Sequence, residues 1–171
     1  MADEVLIRRA ERSDVPALLA IYNHFVLHTP VTFDVEPRTL EQRLAWFDTF
    51  APSGRHQCFV ADRGGEAIGW ACSGRFKDKA AYDTSVETSI YLKPGEEGRG
   101  LGRRLYRTLF DALAHQDVHR AFGGVAVPNQ ASVGLHQAMG FELVGTYREV
   151  GRKFGKFWDV AWFGLALDGA R

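Results

Sequence analysis

The stretch Glu97-Gly98-Arg99-Gly100-Leu101-Gly102-Arg103-Arg104-Leu105 constrains this chain more than any other. An extended run from Glu87 to Leu92 precedes it and closes on Lys93-Pro94-Gly95. After it, Leu101, Leu105, Leu109 and Leu113 recur at helical spacing, with Tyr106 and Phe110 beside them. The segment is therefore strand, glycine-rich turn, helix. Glycine permits a tight turn and lets a ligand approach the backbone with no Cβ in the way. The first-turn N–H groups of the helix carry partial positive charge and suit a phosphate or pyrophosphate. Arg99, Arg103 and Arg104 add charge of the same sign.

The flanking sequence supplies the other elements. Residues 5–9 form a short strand, and Ser13 is placed to cap a helix carrying Val15, Leu18, Leu19, Tyr22, Phe25 and Val26. That helix frays at His28-Thr29-Pro30, because the residue before proline avoids helical geometry. A loop follows over 31–37. Thr39 and Gln42 have the spacing of a capping box, opening a helix with Leu40, Leu44, Trp46 and Phe47. Residues 57–61 and 67–74 make a hairpin around Asp62-Arg63-Gly64-Gly65-Glu66, and a polar connection runs from Arg75 to Asp83. Beyond the central unit, 121–127 is a buried strand containing glycines. Asn129 caps a helix over 130–139 that Gly140 stops. Two long strands, 141–151 and 157–167, complete the order βααβββαβαββ. A hairpin combined with βαβ crossovers predicts a mixed α/β sheet with helices on both faces, built as one domain over 1–171.

Composition narrows the function classes. Lys plus Arg equals Asp plus Glu, 21 each, which leaves no basic excess to hold nucleic acid. No apolar run reaches the ~20 residues of a membrane span. The acidic start Met1-Ala2-Asp3-Glu4 differs from a signal peptide. Cys58 and Cys72 have no metal-site spacing, so both are expected buried in strands, without a metal, in a reducing cytoplasm.

The order of elements and the glycine turn resemble the GNAT superfamily of N-acetyltransferases, whose pyrophosphate signature is Gln/Arg-x-x-Gly-x-Gly/Ala. The signature falls on Glu97-Gly98-Arg99-Gly100-Leu101-Gly102, with Glu97 departing at the first position. Several further motifs are similar to the phosphinothricin and methionine sulfoximine N-acetyltransferase group. They are Ile21-Tyr22-Asn23-His24, Val31-Thr32-Phe33-Asp34, Ala81-Tyr82-Asp83, Glu87 to Leu92, Pro128-Asn129, Leu135-His136 with Gly140-Phe141, and Gly151 to Val160. The resemblance runs from about Ile7 to Leu167.

The resemblance implies acetyl-CoA as co-substrate and a small-molecule amine as acceptor. The pyrophosphate belongs on the backbone of Gly98, Arg99, Gly100, Leu101, Gly102 and Arg103. Ile90, Tyr91 and Leu92 present backbone groups to the pantetheine arm, and Asn129, with Ser132, meets the same arm. Asn129 is equally a plain helix cap, and both roles can hold together. Glu97, a carboxylate beside phosphate, is expected to face solvent or pair with an arginine.

Glu87 is the candidate general base. Its alternative is an ordinary glutamate on an edge strand. Desolvation in an apolar strand would raise its pKa toward a useful value. His136 occupies the position of the general acid, against the alternative of a packed histidine. The acceptor pocket is expected from Phe33, Arg75, Phe76, Lys77, Lys79 and Tyr82, whose cations suit a carboxylate and a phosphinyl or sulfoximine oxygen. At Lys79 the group's arginine is replaced, which keeps charge but loses the bidentate fork. The aromatic hairpin, Phe154, Phe157, Trp158 and Trp162, is core first and dimer contact second. The resemblance also implies a homodimer. Alternatives are an acceptor that is a protein N-terminus or a polyamine, and a non-catalytic CoA-binding module. A nucleotide hydrolase is disfavoured, because the lysine and hydroxyl that end a phosphate loop are absent.

Overall fold

The computed structural model describes residues 4–167. Seven strands form one sheet in the order β1-β2-β3-β4-β5-β7-β6. The strands are β1 (Val5–Arg9), β2 (Cys58–Arg63), β3 (Glu66–Arg75), β4 (Ser85–Leu92), β5 (Arg120–Val127), β6 (Glu142–Lys153) and β7 (Lys156–Ala166). The helices are α1 (Val15–His28), α2 (Leu40–Phe47), α3 (Leu101–Leu113) and α4 (Gln130–Ala138). The order βααβββαβαββ and the mixed sheet are those expected from the sequence. Among the described residues no helix is long and apolar enough to cross a membrane.

Helices cover both faces because the strands are apolar on both. Beneath α3, Leu105, Tyr106, Leu109 and Leu113 are fully enclosed with Val86, Ala121 and Phe163. Each such leucine contributes roughly 1.5–3 kcal/mol. Beneath α1 and α2, a second cluster holds Leu18, Ile21, Val60, Trp70, Cys58 and Cys72. Both cysteines are free and buried, opposite one another on β2 and β3.

Every pairing is antiparallel except β4 with β5. That parallel ladder covers only Ser85/Arg120, Val86/Ala121 and Glu87/Phe122. Past Glu87 the strands part. β4 continues alone on that edge to Leu92, while β5 continues with β7. The sheet therefore forks at Glu87.

Three local expectations are corrected. Ser13 does not cap α1. Residues Arg12–Asp14 form a 3-10 turn instead, and Asp14 accepts from the Glu11 N–H at 2.8 Å while gripping Arg8. The capping box of α2 forms, with Thr39 Oγ1 accepting from Gln42 N and Gln42 Oε1 from Thr39 N. The buried residue of that helix, however, is Arg43, while Leu40 is exposed. In the last hairpin Phe154 and Phe157 are exposed rather than core, because the turn carries them beyond the covering helices.

Candidate active site

The fork opens into a cavity of about 540 Å³. Its walls come from β4 (Glu87, Thr88, Ser89, Ile90, Tyr91), β5 (Gly124, Val125, Ala126) and α4 with its cap (Asn129, Ser132, His136). On the other side of the sheet α1, α2 and the loop between them add Tyr22, Thr32, Phe33, Asp34 and Arg43. Two smaller cavities adjoin it. Glu87 lines all three, the second with Phe76, Lys77, Phe122 and Trp162, the third with Phe33, Tyr147 and Trp162.

Glu87 is half-buried and its carboxylate has no hydrogen-bond or ion-pair partner among the described residues. Burial pushes its pKa above the ordinary glutamate value.

His136 is 3 % exposed. Its Nδ1 lies 2.8 Å from the carbonyl oxygen of Ser132, which can only accept, so Nδ1 carries the hydrogen. Nε2 is then the acceptor for the Tyr106 hydroxyl at 3.2 Å. Burial lowers its pKa, and the bond to Ser132 opposes this. The ring is therefore neutral at neutral pH. Tyr106 also lines the cavity, and its own pKa is pushed up by burial. Thr88 Oγ1 donates to the Phe122 carbonyl at 3.3 Å, tying the strands where they separate.

At the end of β4, Gly98 and Gly100 adopt φ of +75°, which a side chain would strain. Gly100 caps α3 without any side chain bonding the first-turn N–H groups, and no acidic residue stands in that turn. These N–H groups are thus left for an anion. Glu97 is exposed and turns back, its Oε2 accepting from the Gly95 N–H at 2.8 Å. It pairs with no arginine among the described residues. The neighbouring Glu96 does so, with Arg63 at 2.7 Å and Arg99 at 3.7 Å.

The loop between α1 and α2 is pinned over the site. Lys153 Nζ donates to the Thr32 carbonyl at 2.7 Å, and the Phe33 ring lies where a Cβ on Gly151 would stand. The Tyr22 hydroxyl donates to Asp34 at 2.6 Å, and Arg38 holds the same carboxylate with two hydrogen bonds of 2.8 and 2.6 Å.

The comparisons agree with this geometry. Residues 7–162 match the family model described as an acetyltransferase (GNAT) domain. The chain is 50% identical over 162 residues to a phosphinothricin N-acetyltransferase of Streptomyces coelicolor, covering 94% of this chain and 95% of that one. It is 36% identical over 165 residues to an L-methionine sulfoximine/L-methionine sulfone acetyltransferase of Pseudomonas aeruginosa, covering 96% of each. A phosphinothricin acetyltransferase of Sinorhizobium meliloti, solved in complex with acetyl-CoA, superposes with a TM-score of 0.90 at 30% identity, covering 98% and 89%. The chain belongs to the GNAT acetyltransferase family.

As a GNAT enzyme it is an N-acetyltransferase with acetyl-CoA as co-substrate. Of the residues expected to hold acetyl-CoA, Ile90, Tyr91, Asn129 and Ser132 line the main cavity. Asn129 Oδ1 accepts from Ser132 N at 3.1 Å, so the cap is real and the amide nitrogen is left over. Leu92 and Gly98, Arg99, Gly100, Leu101, Gly102 and Arg103 lie outside that lining, beyond the end of β4. Leu101 and Gly102 are buried, so only their backbone can serve a ligand.

The expected acceptor set divides. Phe33, Phe76 and Lys77 join Glu87 around the cavities. Arg75, Lys79 and Tyr82 line an open hollow that does not include Glu87. Sequence reasoning missed two residues, Arg43 and Tyr106. Tyr106 stands on the apolar stripe of α3 and reads there as packing, while Arg43, a charged residue on a short helix, was passed over although its spacing puts it beside Leu40 and Phe47.

Proposed function

We propose that this enzyme moves the acetyl group of acetyl-CoA to the α-amino group of a small amino-acid-like acceptor, of the phosphinothricin or methionine sulfoximine type. The observation that carries the reading is Glu87, an unpartnered carboxylate at the fork, bordering the donor groove and both acceptor-side cavities. Relatives at 50% and 36% identity act on such acceptors, as their names state.

Acetyl-CoA lays its pyrophosphate on the first-turn N–H groups of α3 and its pantetheine arm along the free edge of β4, beside Asn129. The acceptor enters from the Phe33 and Phe76 side, with Lys77 near an anionic side-chain oxygen and the hollow of Arg75, Lys79 and Tyr82 as the outer approach. Glu87 takes a proton from the ammonium, directly or through one water. The freed amine attacks the thioester carbonyl, and a backbone N–H near Tyr91 or Leu92 receives the oxyanion. Collapse breaks the C–S bond, and the nitrogen's surplus proton leaves with the thiolate. His136, neutral and with both ring nitrogens engaged, is no imidazolium acid here; it holds the Tyr106 hydroxyl in place at the cavity wall.

The exposed apolar side chains of the last hairpin, Leu143, Val144, Tyr147, Val150, Phe154 and Phe157, fit a homodimer interface. A molecular mass of twice the chain in sedimentation supports this, and a monomer at micromolar concentration refutes it. The two free thiols suit a reducing cytoplasm.

The functional test is thiol release from acetyl-CoA with phosphinothricin, methionine sulfoximine, amino acids, a peptide and a polyamine. The proposal expects the first two, or a close amino acid, to give the highest kcat/KM. Faster acetylation of the peptide or polyamine overturns it. Acetyl-CoA binding with no turnover on any amine overturns the enzymatic reading.

A further inference from the structure

Arg43 is the least compensated ionised group on the cavity wall. It is 6 % exposed. Its Nε and Nη2 are enclosed and meet no hydrogen-bond acceptor among the described residues. The guanidinium carbon lies 3.4 Å from the Trp46 ring centroid, 4.6 Å from that of Tyr22 and 4.9 Å from that of Trp70. The rings offer no acceptor, and Nη1, the nitrogen not enclosed, is the one that a ligand in the cavity can meet. Burial lowers its pKa, and the groups that oppose this most are Cys72, Tyr22, Tyr91 and Cys58, none of them an anion at neutral pH.

Two other cations, half-buried Arg8 and buried Lys153, have acceptors. Arg8 is held by Asp14 and Asp62, and Lys153 by the Thr32 carbonyl. The carboxylate of Asp34, on the same cavity, is taken by Arg38 and Tyr22. A buried charge without a counter-charge is strongly unfavourable. Cation–π contact recovers only part of that cost. Among the described residues, the cavity lining thus carries one cation without a counter-charge, Arg43, and one carboxylate without a partner, Glu87, with Cys72 an electrostatic neighbour of both. That pair of opposite charges is complementary to a zwitterion.

We infer that Arg43 receives the α-carboxylate of the acceptor and so places its α-amino group at Glu87. The inference rests on the proposed amino-acid acceptor and adds the residue that selects it. Arg43 is here a specificity residue. It rewards a carboxylate beside the amine and rejects a simple amine or a peptide whose carboxyl is tied up as an amide. The cations of the outer hollow are then left for the acceptor's side chain.

The test compares L-methionine sulfoximine with its α-carboxamide in the wild type, Arg43→Met and Arg43→Lys. All three are checked for folding by circular dichroism and thermal melting. The wild type is expected to prefer the acid by about 10- to 100-fold in kcat/KM, the scale of a charge-assisted hydrogen bond. Arg43→Met brings the ratio to near one, mainly through KM of the acid, and Arg43→Lys retains an intermediate preference. A merely structural Arg43 would lower both substrates alike and leave the ratio untouched, which overturns the inference. If Arg43→Met does not fold, Arg43→Lys with a wild-type ratio overturns it. A wild type that takes acid and carboxamide equally also refutes Arg43 while the acetylation reading stands. A wild type that acetylates neither of these, nor phosphinothricin or any amino acid of the panel, refutes both.

Discussion

Gly123→Ala tests how the fork is built. A Cβ at residue 123 would stand 2.6 Å from His136 Nε2 and 3.1 Å from its Cδ2, with Thr88 Oγ1 at 3.6 Å. Ordinary contact is about 3.5 Å or more, so the methyl overlaps the ring by nearly 1 Å. The imidazole cannot yield freely, being held by Ser132 and Tyr106 and stacked 5.6 Å from the Phe163 ring. Overpacking of this kind costs about 1–3 kcal/mol. For a chain of this size that lowers Tm by about 2–12 °C. Position 123 has no positive φ, so backbone strain plays no part and the effect is steric alone. Thermal melting of the wild type, Gly123→Ala, His136→Ala and the double variant completes a cycle. With the ring removed the methyl has room, and the cost of the alanine should vanish. A cost that persists undiminished without His136, or no cost with it, refutes the placement of the imidazole against β5.

Further outcomes follow from the same structure. Glu87→Gln should lower kcat by about 10²- to 10⁴-fold, the usual worth of a general base. In the wild type, kcat/KM should rise with pH through a midpoint above the ordinary glutamate value, and this limb should be lost in the variant. Because the pKa of Glu87 is raised by burial, its neutral form stabilises the fold, and that contribution fades as pH rises through the native value. Glu87→Gln should therefore melt no lower than the wild type at neutral pH. Asp14 has the opposite sign: burial would raise its pKa, but the bonds from Arg8 and the Glu11 N–H together hold it down. Its stabilisation is present above the ordinary aspartate value and is lost as pH falls through the lowered native one. The Tm gap between wild type and Asp14→Asn should be widest near neutrality and close in strong acid. Asn129→Ala should cost about 0.5–2 kcal/mol for the cap and raise KM for acetyl-CoA, read by melting and by initial rates.

The element order was legible because glycine, proline and capping residues punctuate this chain between well-separated periodic runs. The glycine turn was recognisable because glycines closing an extended run permit the positive φ that Gly98 and Gly100 adopt before the helix. The fork was not legible. Alternation along β4 and β5 shows which residues are buried, but not that pairing ends at Glu87 and Phe122. Arg43 escaped notice because a charged residue on a short helix is usually solvated, and only the Trp46 ring is local to it, while those of Tyr22 and Trp70 arrive from α1 and β3. Tyr106 was placed on the correct face of α3, yet its hydroxyl contact with His136 joins residues 30 apart. The aromatic hairpin misled in the other direction, since Phe154 and Phe157 have core composition at an uncovered turn.

The proposed direct attack of the amine on the thioester requires donor and acceptor to be bound together, in the one cavity that runs from the cap of α4 through the fork to Arg43. Initial rates measured over a matrix of acetyl-CoA and methionine sulfoximine concentrations test this most directly. The account predicts intersecting double-reciprocal lines and no acetylated protein when acetyl-CoA is supplied alone. Parallel lines with a stable acetyl-enzyme would contradict it.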